Sequence, residues 1–191
     1  GQAISEAVRP TATERLDILT GCQSFRDVET MAREDAKWSE RMKKQLEEGF
    51  AGYDYVFIDC PPSISQLTHS ALEFSTNVLV PIQCEYYAME GLARMMETIL
   101  KIFYQRREPK PEGGFVGGFV LTMYDPTLEL THEVESQVRD YLGEVVYQTV
   151  IPRDVSLSEA PSFGKSIYEY APRSRGARAY TELCLEVLER V

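Results

Sequence analysis

The 191-residue sequence has few of the residues that build metal and disulfide sites. It contains two histidines and four cysteines, and the cysteines lie far apart with no Cys-x-x-Cys pair. No zinc-ligand spacing can be assembled from them, so we expect reduced thiols in a cytoplasmic protein. No apolar run approaches the ~18–20 residues of a membrane span, and the first residues do not resemble a signal peptide. The absence of a Gly-x-Ser-x-Gly motif disfavours a Ser/His/Asp hydrolase.

Basic residues are also scarce: 20 Lys and Arg stand against 30 Asp and Glu, a formal charge of −10. As a whole, this charge repels nucleic acid and anionic lipid, so such a partner would need a local basic patch. Residues 153–191 carry as many basic as acidic side chains, with Arg173, Arg175 and Arg178 close together. We therefore expect any anion-binding surface in this region and expect no membrane partner.

Short β-rich runs alternate with helical patterns along the chain, which predicts an α/β fold with a mostly parallel sheet flanked by helices. The predicted strands cover residues 15–19, 53–58, 77–80, 115–123 and 145–151. The predicted helices cover 25–49, 65–74, 90–105, 128–142 and 174–191, with a loop between 152 and 174. Nothing in the composition marks a second domain, so residues 1–191 are expected to form one domain.

Polar residues follow the predicted strands where each strand ends. Asp59 directly follows an apolar strand, and a carboxylate in that position can hold Mg²⁺ directly or through water. A turn-forming Asp is the alternative, because many strands end in this way. Pro61 and Pro62 make the following turn stiff, since neither has an N–H to donate. Glu85 and Asp125 follow later strands and are expected at the same edge of the sheet.

Five motifs occur in one order along the chain: Asp-Cys-Pro-Pro-Ser at 59–63, Gln-Cys-Glu-Tyr-Tyr-Ala-x-Glu-Gly-Leu at 83–92, Leu-Thr-Met-Tyr-Asp at 121–125, Val-Ile-Pro-Arg at 150–153 and Leu-Ser-Glu-Ala-Pro-Ser at 157–162. Together they resemble the ParA/Soj chromosome- and plasmid-partitioning ATPases, part of the deviant Walker A group that includes MinD. The resemblance covers about residues 14–191.

This resemblance implies a P-loop NTPase-like fold of the SIMIBI type and an ATPase that uses ATP and Mg²⁺. It also implies a homodimer formed around two nucleotides, non-specific DNA binding on the nucleoid, and stimulation by a ParB-like partner. By matching motif, Asp59 is the Walker B residue near Mg²⁺, and switch II contains Pro61, Pro62 and Ser63. The residues implied around the nucleotide are Met123, Pro152, Arg153, Asp154 and Glu85, with Tyr86 and Tyr87 near the same edge and the dimer face.

The phosphate loop of this family is absent from the sequence. That loop reads Lys-Gly-Gly-x-Gly-Lys-Thr, and its backbone N–H groups and lysines cradle the phosphates. The one dense glycine cluster, at 113–118, is followed by a strand pattern and by no Lys-Ser/Thr. We therefore assign no catalytic residue, expect a partial domain that lacks its first βα units, and expect this chain alone to be inactive and to require no cofactor. The alternatives are a truncated chain or mis-assigned gene start, and a natural nucleotide-independent homologue.

The sequence also departs from the family at two DNA-contacting arginines. Thr127 and Ser156 stand where the Soj branch has arginine, and Glu129 adds negative charge. Ser156 and Glu159 instead fit a helix capping box. The remaining basic candidates for DNA contact are Lys165, Arg173, Arg175 and Arg178, for which a solvated helix start is the alternative. Two other functions stay open: a non-enzymatic interaction module with a vestigial nucleotide site, and a related ATPase that positions cargo other than DNA.

Overall fold

The computed structural model describes residues 4–21, 30, 35, 37–61, 65–85, 96–97, 101 and 116–190. Its chain divides into two compact units, one of residues 1–75 with 102–106 and the other of residues 76–101 with 107–191. Most of the predicted helix over 90–105 lies outside the described residues, as do Pro62, Ser63, Tyr86 and Tyr87.

Among the described residues of the first unit, three helices have defined bounds and two strands form a small antiparallel pair. The helices are α1 (Ile4–Ala7), α2 (Trp38–Phe50) and α3 (Gln66–Phe74), and the strands are β1 (Arg9–Pro10) and β2 (Asp17–Ile18). The Ser65 hydroxyl caps α3 by accepting a hydrogen bond from the Thr68 N–H, 3.3 Å away. The predicted helix over 65–74 is therefore present, whereas the strand predicted over 15–19 shortens to two residues.

The strand predicted over residues 53–58 is wrong. Residues 55–61 adopt no regular secondary structure and form no backbone hydrogen bond with the described part of the chain. Phe57 is 83% exposed, and Tyr55 is also exposed. A β-strand forms only beside a hydrogen-bonding neighbour, and the described residues supply none to this segment. The apolar pattern of this segment therefore predicts a strand, but no neighbouring strand among the described residues pairs with it.

In the described part of the second unit, three strands form a parallel sheet with helices between and after them. The strands are β3 (Val78–Gln83), β4 (Val116–Tyr124) and β5 (Val146–Pro152), in the order β3-β4-β5. Helix α4 (Glu129–Leu142) and a short 3-10 turn connect β4 to β5, and the chain ends with α5 (Val155–Glu159), α6 (Ile167–Tyr170) and α7 (Arg175–Arg190). The predicted α/β class is confirmed, but the predicted loop after β5 contains two short helices.

The core of this unit lies between the sheet and α7. It contains Val120, Tyr147, Ile151, Ala179 and Leu183, with Leu157 and Val187 packed beside them. Gly118 has a φ of +151°, and the Tyr147 ring lies where its side chain would be. The Tyr147 hydroxyl donates to the Gly117 carbonyl at 3.0 Å, which anchors the ring against β4. None of the described helices is long and apolar enough to cross a membrane.

Candidate functional site at the carboxyl edge of the sheet

The ends of the three parallel strands meet at one edge, as the sequence predicts. Glu85 comes two residues after β3, Asp125 follows β4, and Arg153 follows β5. The Arg153 guanidinium lies 3.9 Å from Oε1 of Glu85, with both side chains more than half exposed. The Arg153 N–H donates to the Tyr124 carbonyl at 2.9 Å, so the ends of β4 and β5 are joined directly. This arrangement leaves charged side chains of both signs open to solvent.

Met123 has a left-handed backbone at this edge. Its φ is 53°, a conformation that non-glycine residues rarely adopt and that concentrates at functional sites. The side chain is 36% exposed. Pro152 lies nearby, paired in register with Tyr124. The structure therefore brings together the ends of β4 and β5 that carry Met123, Pro152 and Arg153, which the family resemblance implies around the nucleotide.

Asp125 shapes the turn that leaves β4. Its Oδ1 accepts hydrogen bonds from the Thr127 hydroxyl at 2.7 Å and from the Thr127 N–H at 3.0 Å. These two bonds, followed by the positive charges of Arg153 and Arg175, hold the pKa of the Asp125 carboxyl below its ordinary value. Asp125 therefore keeps a negative charge close to two arginines.

Asp154 connects two helix starts. Its Oδ2 accepts from the Gly176 N–H at 2.8 Å, at the start of α7, and its Oδ1 accepts from the Ser156 N–H at 3.0 Å, at the start of α5. Both oxygens are thus used within the protein, and these bonds lower the pKa of the carboxyl. Asp154 positions the helices that follow the edge, a role that its place after β5 did not reveal.

The capping box predicted at Ser156 and Glu159 is wrong. Asp154 is the N-cap of α5, so Ser156 lies inside the helix, and Glu159 accepts a hydrogen bond from the Tyr170 hydroxyl at 2.9 Å. The capping box belongs to α6, where Ser166 and Glu169 bond reciprocally. The helix begins two residues earlier than the capping pattern indicated, so Asp154 is its N-cap.

Asp59 and Pro61 lie in the exposed segment of the first unit. Asp59 is exposed and forms no hydrogen bond or ion pair with the described residues. No group of three metal-ligating side chains occurs within the described ranges. Mg²⁺ is commonly held by one or two carboxylates together with water and phosphate oxygens, and a single free carboxylate fits that chemistry.

The basic candidates lie around the start of α7. Lys165, Arg173, Arg175 and Arg178 are all exposed, and none forms an ion pair with the described part of the chain. Nη2 of Arg175 reaches the Arg153 carbonyl at 3.5 Å, and Nη2 of Arg178 reaches the Arg173 carbonyl at 3.4 Å. The N-terminus of a helix carries a partial positive charge, so cations there are not stabilised by the helix itself.

A second polar cluster, which the sequence did not single out, lies behind the edge. The Tyr124 hydroxyl donates to Oε2 of Glu135 at 2.5 Å, and Nε of Arg139 donates to Oε1 of the same carboxylate at 2.9 Å. His132 lies one turn before Glu135 on α4, with Nδ1 3.3 Å from the Tyr124 hydroxyl. Residues 132, 135 and 139 are spaced so that their side chains lie on one helix face. This spacing is visible in the sequence and could have indicated the cluster.

The comparisons with known proteins agree with this architecture. Residues 1–110 match a protein-family profile described as an AAA domain. The chain is 39% identical over 184 residues to the sporulation initiation inhibitor protein Soj of Bacillus subtilis, an alignment that covers 96% of the chain and 71% of that protein. It is 48% identical over 140 residues to the chromosome-partitioning ATPase Soj of Thermus thermophilus, covering 73% of the chain and 55% of that protein.

A solved structure shows the same fold with a nucleotide. Cobyrinic acid a,c-diamide synthase of Mycobacterium smegmatis, crystallised with an ATP analogue and magnesium, is 26% identical and superposes with a TM-score of 0.77 over 98% of this chain and 68% of that chain. The parallel sheet and these matches define an α/β protein of the P-loop NTPase type. Within that class, the chain belongs to the ParA/Soj family of chromosome-partitioning ATPases.

Proposed function

We propose that the chain forms the C-terminal majority of a ParA/Soj-like ATPase that segregates a chromosome or plasmid through ATP-dependent dimerisation. The meeting of Glu85, Asp125 and Arg153 at one sheet edge, beside the left-handed Met123, is the observation that carries this proposal. An ATPase named for chromosome partitioning in Thermus thermophilus, 48% identical over the aligned region, supports it. A ParB-like protein is the proposed stimulating partner.

In this proposal, the sheet edge of the second unit binds the base of the nucleotide. Asp59 of the first unit, considered by itself, is proposed to hold Mg²⁺ through water. Met123 and Pro152 supply apolar surface, and Arg153 supplies positive charge beside it. Bound Mg²⁺ would neutralise phosphate charge. Because the 191 residues contain no Gly-rich loop followed by Lys-Ser/Thr, the chain on its own lacks the backbone cradle for phosphate. We therefore propose that hydrolysis requires a phosphate loop in addition to these residues.

The proposal also includes non-specific binding of DNA. The cationic side chains of Arg173, Arg175 and Arg178 stand at the positive end of α7 without an ion-pair partner among the described residues. The Asp125 and Asp154 carboxylates lie close to Arg175, and phosphate groups of DNA would offset the positive charge of the other arginines. We propose that these arginines, with Lys165, contact the DNA backbone.

The test is Mg²⁺-dependent ATP hydrolysis by the complete gene product, by the 191-residue chain, and by Asp59→Ala and Arg153→Ala variants of the complete product. We expect slow hydrolysis by the complete product, none by the 191-residue chain, loss of activity in Asp59→Ala and weaker ATP binding in Arg153→Ala. Lys44→Ala, on the exposed face of α2, is the control and should match the wild type. A complete product that binds no ATP would overturn the proposal and favour a non-enzymatic interaction module.

A further inference from the structure

The polar cluster behind the sheet edge links α4 to the end of β4. Glu135 accepts a hydrogen bond from Tyr124 at one carboxylate oxygen and from Arg139 at the other. Arg139 also donates to the carbonyls of Tyr147 and Gln148 on β5, at 3.2 and 3.4 Å. The carboxylate is thus held from both sides, and it holds the last residue of β4 in turn.

The protonation of this cluster follows from its environment. The hydrogen bond to Glu135, then burial and the Glu135 charge, raise the pKa of Tyr124 to about 12. Burial, followed by the Glu135 charge, raises the pKa of the Cys84 thiol to about 11. Burial opposes ionisation of Glu135, but the bonds from Tyr124 and Arg139 outweigh it and hold its pKa below the ordinary value. Near neutral pH, Tyr124 and Cys84 are neutral and Glu135 is charged.

His132 ties the following turn to the same cluster. Its Nε2 lies 3.0 Å from the Pro126 carbonyl, which can only accept, so this nitrogen must carry a hydrogen. Its Nδ1 lies 3.3 Å from the Tyr124 oxygen. The ring therefore links the Pro126 carbonyl to the Tyr124 side chain.

Tyr124 connects this cluster to the candidate nucleotide edge. It lies between Met123, with its left-handed backbone, and Asp125, and its carbonyl accepts the Arg153 N–H at 2.9 Å. A shift of the Tyr124 side chain would therefore move residues on both sides of it. We propose that Glu135 is a positioning residue that fixes this end of β4 for nucleotide binding through Tyr124. This inference rests on the proposed function of the edge.

The first measurement needs no nucleotide. Amide hydrogen exchange, followed by NMR on the complete gene product, reports the Arg153 and Thr127 N–H groups, which depend on the geometry of residues 124 and 125. We expect Tyr124→Phe and Glu135→Gln to speed exchange of both amides by about tenfold, the equivalent of one lost hydrogen bond. Glu133→Gln, exposed on the same helix, is the matched control and should leave both rates unchanged.

The second measurement is the Kd for ADP with saturating Mg²⁺, obtained by calorimetry. We expect Tyr124→Phe and Glu135→Gln to weaken binding by about tenfold and Glu133→Gln to leave the Kd unchanged. A purely structural role for the cluster would lower stability without changing the Kd for ADP.

The two measurements separate the possible failures. A wild type that does not bind ADP overturns the proposed function, while amide exchange still decides whether Glu135 holds the end of β4. Faster amide exchange with unchanged affinity overturns the positioning role. Unchanged exchange in Tyr124→Phe and Glu135→Gln overturns the inference at its first step.

Discussion

Asp154 and Gly176 are joined by a hydrogen bond of 2.8 Å from the Gly176 N–H to Oδ2 of the carboxylate. The other oxygen of Asp154 caps α5, so one side chain orients two helices that begin 20 residues apart. Gly176 is buried against Leu157, and a side chain there would lie within 3 Å of the leucine. The start of α7, with its exposed arginines, therefore depends on a residue that directly follows the sheet edge.

Replacing Asp154 with alanine should lower the free energy of unfolding. Both N–H groups lose their partner, and removal of an N-cap or of a charged acceptor costs about 1–3 kcal/mol. Urea unfolding monitored by circular dichroism measures the change. Glu182→Ala, exposed on α7, is the control and should change stability by less than about 0.5 kcal/mol.

The contribution of Asp154 should also depend on pH. Its folded-state pKa is lowered, first by the Gly176 bond, so its stabilisation is present above the ordinary value of 3.8 and is lost as the pH falls through the folded value. The difference in stability between wild type and Asp154→Ala should therefore shrink below about pH 4. A difference that stays constant down to pH 2 would contradict this account.

Glu186 protects the outer edge of β5. Its carboxylate accepts the N–H groups of Gln148 at 2.7 Å and Thr149 at 3.0 Å, and Arg190 donates to the Val146 carbonyl at 3.3 Å. An edge strand with free N–H and C=O groups can pair with a strand of another molecule. These side chains satisfy the backbone groups from within the same chain.

Replacing Glu186 with alanine should destabilise the protein by about 1–3 kcal/mol, because the N–H groups of Gln148 and Thr149 lose their charged acceptor. It should also promote self-association, which sedimentation velocity would detect at increasing concentration. Glu189→Ala, exposed on the same helix, should do neither. Although burial opposes it, the two N–H bonds hold the pKa of Glu186 below its ordinary value. Its contribution should therefore be present above pH 4.5 and be lost in acid.

The sequence predicts the second unit well because each of its main elements has a local signal. Apolar runs of strand length precede Glu85, Asp125 and Arg153, and α4 and α7 are long enough to show helical periodicity. The short helices after β5 span only four or five residues each, too few for a period to appear. Element type could thus be predicted where the segment was long enough.

Contacts between distant residues could not be predicted in the same way. The bonds from Asp154 to Gly176 and from Tyr124 to Glu135 cross 22 and 11 residues, and only the fold brings their partners together. Residues 53–58 have a strand-like pattern, but strand formation depends on a neighbour that the pattern itself does not report. Asp154 follows a strand, where a nucleotide-binding residue is expected, but its carboxylate accepts hydrogen bonds from the first turns of two helices.

Phe57 provides a test of the exposed segment in the first unit. Its ring is 83% exposed, so Phe57→Ser should change the free energy of unfolding by less than about 0.5 kcal/mol. It should, however, reduce binding of the dye ANS and any self-association of the 191-residue chain, because an exposed apolar side chain is removed.

Phe119→Ala provides the contrast, because Phe119 is only 1% exposed. Its truncation should lower the free energy of unfolding by about 3–5 kcal/mol. A large loss of stability in Phe57→Ser would mean that the ring is buried in solution.

The arginines at the start of α7 predict a salt-dependent interaction with DNA. In the complete gene product with ATP, affinity for a random-sequence duplex, measured by fluorescence anisotropy, should fall steeply with salt. Each phosphate contact contributes about −0.9 to the slope of log K against log salt, so the double variant Arg175→Ala and Arg178→Ala should reduce the slope by about 2. Charge reversal at both positions should abolish binding, while Lys44→Glu on α2 should leave it unchanged. Since Arg175 also reaches the Arg153 carbonyl, ATP affinity must be measured in the same variants. An unchanged salt slope with intact ATP binding would exclude these arginines from the DNA interface.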